Sequence, residues 1–121
     1  MASHNETGKR GEELASQFLF KKEWKILEKN WRWGRTEVDI IAMDGDVLVF
    51  VEVKTRTTAR FGVPEGAVSG QKMDLMAAAA GEYMSRIGHH WEIRFDVISV
   101  LLPAGQNPEI RHLPDAFFPG L

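Results

Sequence analysis

Two apolar segments joined by Asp44-Gly45 constrain the fold of this 121-residue chain more than any other feature. An Asp-Gly pair between alternating apolar runs favours a two-residue hairpin loop, because both residues tolerate the positive φ that such loops need. The flanking segments, residues 36–42 and 46–55, are rich in the β-branched residues that strands favour. The sequence therefore predicts two antiparallel neighbouring strands, with Met43 opposite Asp46.

This register divides the side chains of the hairpin between two faces of a sheet, because directly opposed residues share a face. One face carries apolar side chains only: Val38, Ile40, Ala42, Val47, Val49, Val51 and Val53. The other face carries apolar residues near the loop and then a charged group: Glu37, Asp39, Glu52 and Lys54. Asp39 is expected to lie diagonally from Glu52, roughly 7–8 Å away at the backbone, within side-chain reach of one shared ion.

Three carboxylates on one sheet face repel one another, and burial near a sheet centre adds a desolvation penalty. A hard divalent cation such as Mg²⁺ would relieve both effects, and it leaves coordination positions for water and phosphate. Lys54 follows Glu52 by two residues, so its ammonium group is expected beside the ion. The alternative is a surface ladder of salt bridges, since acid-x-Lys spacing is common by chance. The residues alone do not decide between the two.

The rest of the chain predicts a single-domain α/β fold in the order helix, three strands, helix, strand. We expect a first helix from an N-cap at Thr7 to Lys22, strands over 24–33 and 92–102, and a second helix over 69–87. An edge strand around Ile110 is a further prediction. Residues 1–7 are expected to be a flexible N-terminus, residues 8–113 the domain and residues 114–121 a tail.

Composition excludes several classes of function. The chain has no cysteine, so it has neither disulfides nor thiolate-ligated metal. No stretch approaches 18 apolar residues, so no membrane partner is expected, and a cytoplasmic location is the expectation. The absence of a glycine-rich phosphate loop argues against a nucleotide cofactor. The formal net charge of −2 does not by itself indicate a nucleic-acid binder.

Five sequence segments together resemble a known family. Asp39 followed by Glu52-Val53-Lys54 on the next strand resembles the PD-(D/E)xK nuclease signature, with Val38 in place of the first proline. The segments at 8–15, 37–42, 49–56, 61–68 and 94–98 are similar to the YraN-like family of small bacterial proteins. The similarity covers residues 8–113.

This resemblance implies a restriction-endonuclease-like mixed sheet, related to that of the Holliday junction resolvases. It implies an endonuclease dependent on Mg²⁺ or Mn²⁺ that hydrolyses DNA phosphodiester bonds, with branched or junction DNA as a possible substrate and a possible homodimer. Asp39 and Glu52 would bind the metal and Lys54 would orient the attacking water. Glu12, from the first helix, would assist, and Glu37 is a possible auxiliary acid.

Cations near these acids are candidates for contact with a phosphate backbone. They are Arg35, Arg56, Arg60 and Lys72. Residues 56–66 are predicted to form a Gly/Pro loop, the segment most suited to contact a substrate. Two other functions remain open from the sequence: a non-catalytic nucleic-acid-binding module, and a protein-interaction scaffold that kept the nuclease fold.

Overall fold

A mixed sheet lies between two helices in the computed structural model, which describes residues 4–58 and 70–116. The helices are α1 (His4–Lys21) and α2 (Gly70–Ile87). The strands are β1 (Lys25–Trp33), β2 (Thr36–Asp44), β3 (Val47–Arg56), β4 (Ile93–Leu101) and β5 (Glu109–Leu113). The prediction of an α/β fold with a restriction-endonuclease-like mixed sheet is confirmed, and the edge strand around Ile110 is present as β5.

The strands lie side by side in chain order, from β1 to β5. All neighbouring pairs are antiparallel except β3 and β4, which are parallel. A parallel pair requires a crossover connection, and here α2 lies in that connection. Within the described residues, neither helix is long and apolar enough to span a membrane.

Each face of the sheet buries its own apolar cluster, and each cluster includes one helix. On the α1 face, Ala15 and Leu19 pack with strand residues such as Val49 and Val51. On the α2 face, the cluster combines helix and strand residues: Met76, Ala79, Ala80, Tyr83, Ile41, Leu48, Phe50 and Val97. The sheet is therefore covered on both sides, which fixes the central strands on which the charged residues lie.

The hairpin between β2 and β3 forms, but its register differs from the prediction by two residues. Asp44 is paired with Val47, so the loop residues are Gly45 and Asp46. Gly45 has a φ of 60°, and a glycine with positive φ at the first loop position is typical of a type II′ turn. Because the shift is an even number, most side chains keep their predicted face.

Two further predictions are wrong in detail. The first helix begins at His4, so Thr7 lies inside it and is not its N-cap. Val38 belongs to the cluster on the α2 face, whereas Ile40 belongs to that on the α1 face. The regular alternation of β2 is therefore interrupted around Asp39, the residue between them.

Candidate active site

The two central hairpin strands separate at the point where the acidic residues lie. Regular pairing of β2 with β3 ends at Ile40 opposite Val51, and the next residues on the two strands are Asp39 and Glu52. Beyond this point β3 stays paired with β4 only. The Asp39 carboxylate enters the opening, where its Oδ2 accepts a hydrogen bond of 2.8 Å from the backbone N–H of Val53. The strand separation thus brings two carboxylates to one place.

Asp39 carries a poorly compensated charge. Burial raises the pKa of its carboxyl, the negative charge of Glu52 raises it further, and the Val53 hydrogen bond only partly opposes them. Together these effects bring the pKa of Asp39 to about 7. Burial and the neighbouring carboxylates thus both disfavour the ionised form of Asp39, and a cation bound beside it would favour that form.

Glu52 is almost completely buried, with 8% of its surface exposed. Its Oε1 accepts a hydrogen bond from the ammonium group of Lys72, in the first turn of α2. Lys72, one of the predicted nucleic-acid contacts, is thus directly paired with a site carboxylate. No property of the sequence indicated this particular ion pair.

Glu12 reaches the site because α1 approaches β3 closely. Gly11 is buried against Thr55, and a Cβ atom at this position would overlap the Thr55 side chain. The glycine therefore permits a helix–strand contact that any larger residue would widen. Burial raises the pKa of Glu12. The Glu12 carboxylate adds a negative charge near Asp39 and raises the pKa of that residue.

Asn30 is a site residue that sequence reasoning missed. It lies on β1 between residues paired with Val38 and Ile40, hence opposite Asp39. Its φ is 52°, an unusual conformation that asparagine tolerates better than most residues. The Asn30 side chain hydrogen-bonds Glu12 and opposes the rise of that residue's pKa. An asparagine within a strand was the only available signal.

Lys54 lies beside the acids and has altered acidity. Burial lowers the pKa of its ammonium group, while the nearby charge of Glu52 opposes the change. The positive charges of Lys72 and Arg56 lower it further. A lysine that loses its proton more readily is better suited to exchange protons with water near neutral pH.

A cleft of about 470 Å³ opens onto these residues. Its charged lining comprises Glu12, Arg35, Glu37, Asp39, Glu52 and Lys72. Glu37 forms an ion pair of 2.9 Å with Arg32, so this auxiliary acid is already partnered. Lys54 lies near Glu52, and Arg56 lies near Lys54. Arg60 lies outside the described residues.

The donor set fits a hard divalent cation with few protein ligands. Within residues 4–58 and 70–116, no three His, Asp or Glu side chains are arranged together to hold a metal. Mg²⁺ needs only one or two carboxylates when water and phosphate supply the remaining oxygens. Asp39 and Glu52 offer such a pair, and their mutual repulsion would be relieved by the ion.

Comparison with known proteins gives whole-chain similarity to one group of bacterial proteins. The model of "Uncharacterised protein family UPF0102" matches residues 11–100, which include every acid of the site. A "UPF0102 protein" of Christiangramia forsetii is 43% identical over 118 residues and aligns with 98% of each chain. One of Flavobacterium psychrophilum is 44% identical with the same coverage. One of Rhodococcus jostii is 42% identical, covering 97% of this chain and 100% of the relative.

Proposed function

Since the chain belongs to the UPF0102, or YraN-like, family as its sequence predicted, we propose that it is a divalent-metal-dependent nuclease that hydrolyses DNA phosphodiester bonds. The observation that carries the proposal is the separation of β2 and β3. It places the Asp39 and Glu52 carboxylates together, with a raised pKa at Asp39 and Lys54 two residues beyond Glu52. Buried like charges of this kind are a feature of catalytic sites.

Asp39 and Glu52 would hold Mg²⁺ or Mn²⁺. When bound, such an ion polarises a phosphoryl oxygen, lowers the pKa of coordinated water and offsets charge that develops in the transition state. Asp39 is fixed for this role by the Val53 N–H, which leaves its second oxygen available. Glu52 is fixed by its place on β3, which stays paired with β4.

Lys54 would orient the attacking water and exchange a proton with it. Its lowered pKa favours this role, because general acid–base catalysis is most effective when the pKa of the catalytic group lies near the working pH. Glu12 borders the same cleft from α1 and would orient water on the other side of Asp39. Its own orientation is held by Asn30.

DNA is the substrate that the surrounding surface favours. Arg35 and Lys72 line the cleft and supply positive charge for phosphates. Trp33, at the end of β1, has 38% of its surface exposed and offers an aromatic surface for an unpaired base. Branched or junction DNA is therefore the finer substrate proposal. A homodimer, which would present two sites to two strands, is the matching proposal for assembly.

The test is cleavage of labelled single-stranded, duplex, flap, fork and four-way-junction DNA with Mg²⁺ and with Mn²⁺. Asp39→Asn and Lys54→Met are each expected to reduce the rate by about 10²–10⁴-fold, the range for a lost general acid–base group or metal ligand. Asp74→Asn and Lys25→Met change exposed residues outside the cleft and serve as matched controls.

Three results would redirect the proposal. Cutting that survives in both site variants would come from a contaminant or from a different site. Salt-dependent DNA binding without cutting would favour a non-catalytic binding module. If the protein neither cuts DNA nor binds it in a salt-dependent way, the interaction scaffold is favoured.

A further inference from the structure

The ion pair between Lys72 and Glu52 places a protein cation on a proposed metal ligand. Lys72 lies in the first turn of α2, where the helix macrodipole disfavours positive charge. Its side chain is 45% exposed, whereas that of Glu52 is 11% exposed. The lysine therefore reaches inward from a partly open position, against a local electrostatic preference, to compensate a buried carboxylate.

Compensation of the two carboxylates is unequal. Glu52 accepts from the Lys72 ammonium, whereas Asp39 accepts from the backbone N–H of Val53, an uncharged donor. A divalent ion shared by Asp39 and Glu52 would bring two more positive charges to the oxygens on which Lys72 now rests. Two cations within a few ångströms of each other repel, so the ion and the ammonium compete for Glu52.

We propose that Lys72 is a resident counter-ion of Glu52 that the divalent ion displaces, and that its ammonium group then binds a substrate phosphate. The inference rests on the proposed metal-dependent function and specifies how metal and DNA binding are coupled. Lysine suits such an exchange because its charge is at the end of a flexible four-carbon chain. Lys72 lines the same cleft as Arg35, so the released ammonium stays next to the phosphate path.

The exchange predicts opposite effects of one substitution on two ligands. In Lys72→Met the competitor is lost, so calorimetry should show Mn²⁺ binding about two- to fivefold more tightly, a change of the size that one partly exposed ion pair supports. DNA binding in Ca²⁺ should weaken, and the gain in DNA affinity that the divalent ion gives should shrink. Lys72→Arg keeps the charge and should stay closer to the wild type on both measurements.

Lys25→Met is the control, because it removes an exposed lysine that lies outside the cleft. Thermal melting of each variant checks that the fold is kept. Unchanged or weaker Mn²⁺ binding in Lys72→Met would overturn the exchange, and if the wild type still cuts DNA the proposed function stands. If the wild type binds no Mn²⁺, or if its Mn²⁺ binding persists in Asp39→Asn, the metal-dependent function fails together with the exchange.

Discussion

Asp39 and Asp96 lie on the same sheet, but neighbouring groups compensate the negative charge of Asp96 and largely fail to compensate that of Asp39. Asp96, on β4, is completely buried. Arg94 donates to both of its oxygens, at 2.8 and 3.0 Å, and the backbone N–H of Asp115 donates at 3.0 Å. His112 lies at 2.7 Å, and its Nε2 must carry the proton because an ionised carboxylate only accepts.

The consequence is seen in the acidity of the two groups. Burial alone would raise the pKa of Asp96, but the hydrogen bonds from His112 and Arg94 outweigh it and hold that pKa below its usual range. Asp39 is less deeply buried, but burial raises its pKa and the neighbouring carboxylates raise it further, to about 7, because only the backbone N–H of Val53 opposes them. The fold completes the surroundings of Asp96 with its own hydrogen-bond donors, including the Arg94 guanidinium. At Asp39 it leaves charge that a ligand from outside the chain can compensate.

The largest expected effect is on stability. Asp96→Asn should lower the free energy of unfolding by about 3–5 kcal/mol, because Arg94 would be left as a largely buried cation without its main partner. Asp39→Asn is the matched change, and at pH 7 it should raise the free energy of unfolding by about 1–2 kcal/mol, because it removes a charge that the fold disfavours and keeps an acceptor for Val53. Urea denaturation measures both. Equal losses would show that Asp39 is a structural residue as well.

A smaller effect is expected on the pH dependence of stability. The pKa of Asp39 rises from an ordinary 3.8 to about 7, so the folded state binds more protons than the unfolded state between these values. Stability from this group is therefore present below about pH 4 and lost as pH rises through 7. After allowance for solvent screening, the free energy of unfolding of the wild type should fall by about 1–2 kcal/mol across this window. Asp39→Asn should abolish this fall.

Asp96 should show the opposite trend, which makes it the internal control. Its lowered pKa means that its stabilising contribution is present above pH 3.8 and is lost as pH falls through the folded-state value. Asp96→Asn should therefore leave the slope between pH 4 and 7 in place. Equilibrium unfolding at half-unit pH steps separates the two. A wild-type slope identical to that of Asp39→Asn would mean that neither burial nor carboxylate repulsion raises the pKa of Asp39 appreciably.

Local patterns were sufficient to predict most of the fold. Alternation and the Asp44-Gly45 pair predicted the β2–β3 hairpin, and helical spacing predicted both helices. Alternation fixes only which face a side chain is on, so it tolerated the two-residue error in register. It could not show that Gly45-Asp46 rather than Asp44-Gly45 forms the loop, because glycine suits either turn.

The site was predictable where residues lie on one hairpin and not where distant segments meet. Asp39, Glu52 and Lys54 were identified from their spacing, and Glu12 from its place at the rim of the first helix and from the family resemblance. The Lys72–Glu52 pair joins a helix to a strand, and the Asn30–Glu12 contact depends on a positive φ within β1. Both depend on tertiary packing. Metal binding, DNA binding and dimer formation stay predictions.

The smallest and most local test asks which neighbour sets the acidity of Asp39. Of the charged groups that raise its pKa, Glu52 contributes most, followed by Glu12 and then Glu37. In metal-free protein, Glu52→Gln should therefore lower the Asp39 pKa more than Glu12→Gln does, and Glu37→Gln should lower it least. Carboxyl NMR titration gives each value, with the Asp96 signal as a reference that should not move. A larger effect from Glu12→Gln would place the Glu12 carboxylate closer to Asp39 than the Glu52 carboxylate is, and the metal would then be expected between Asp39 and Glu12.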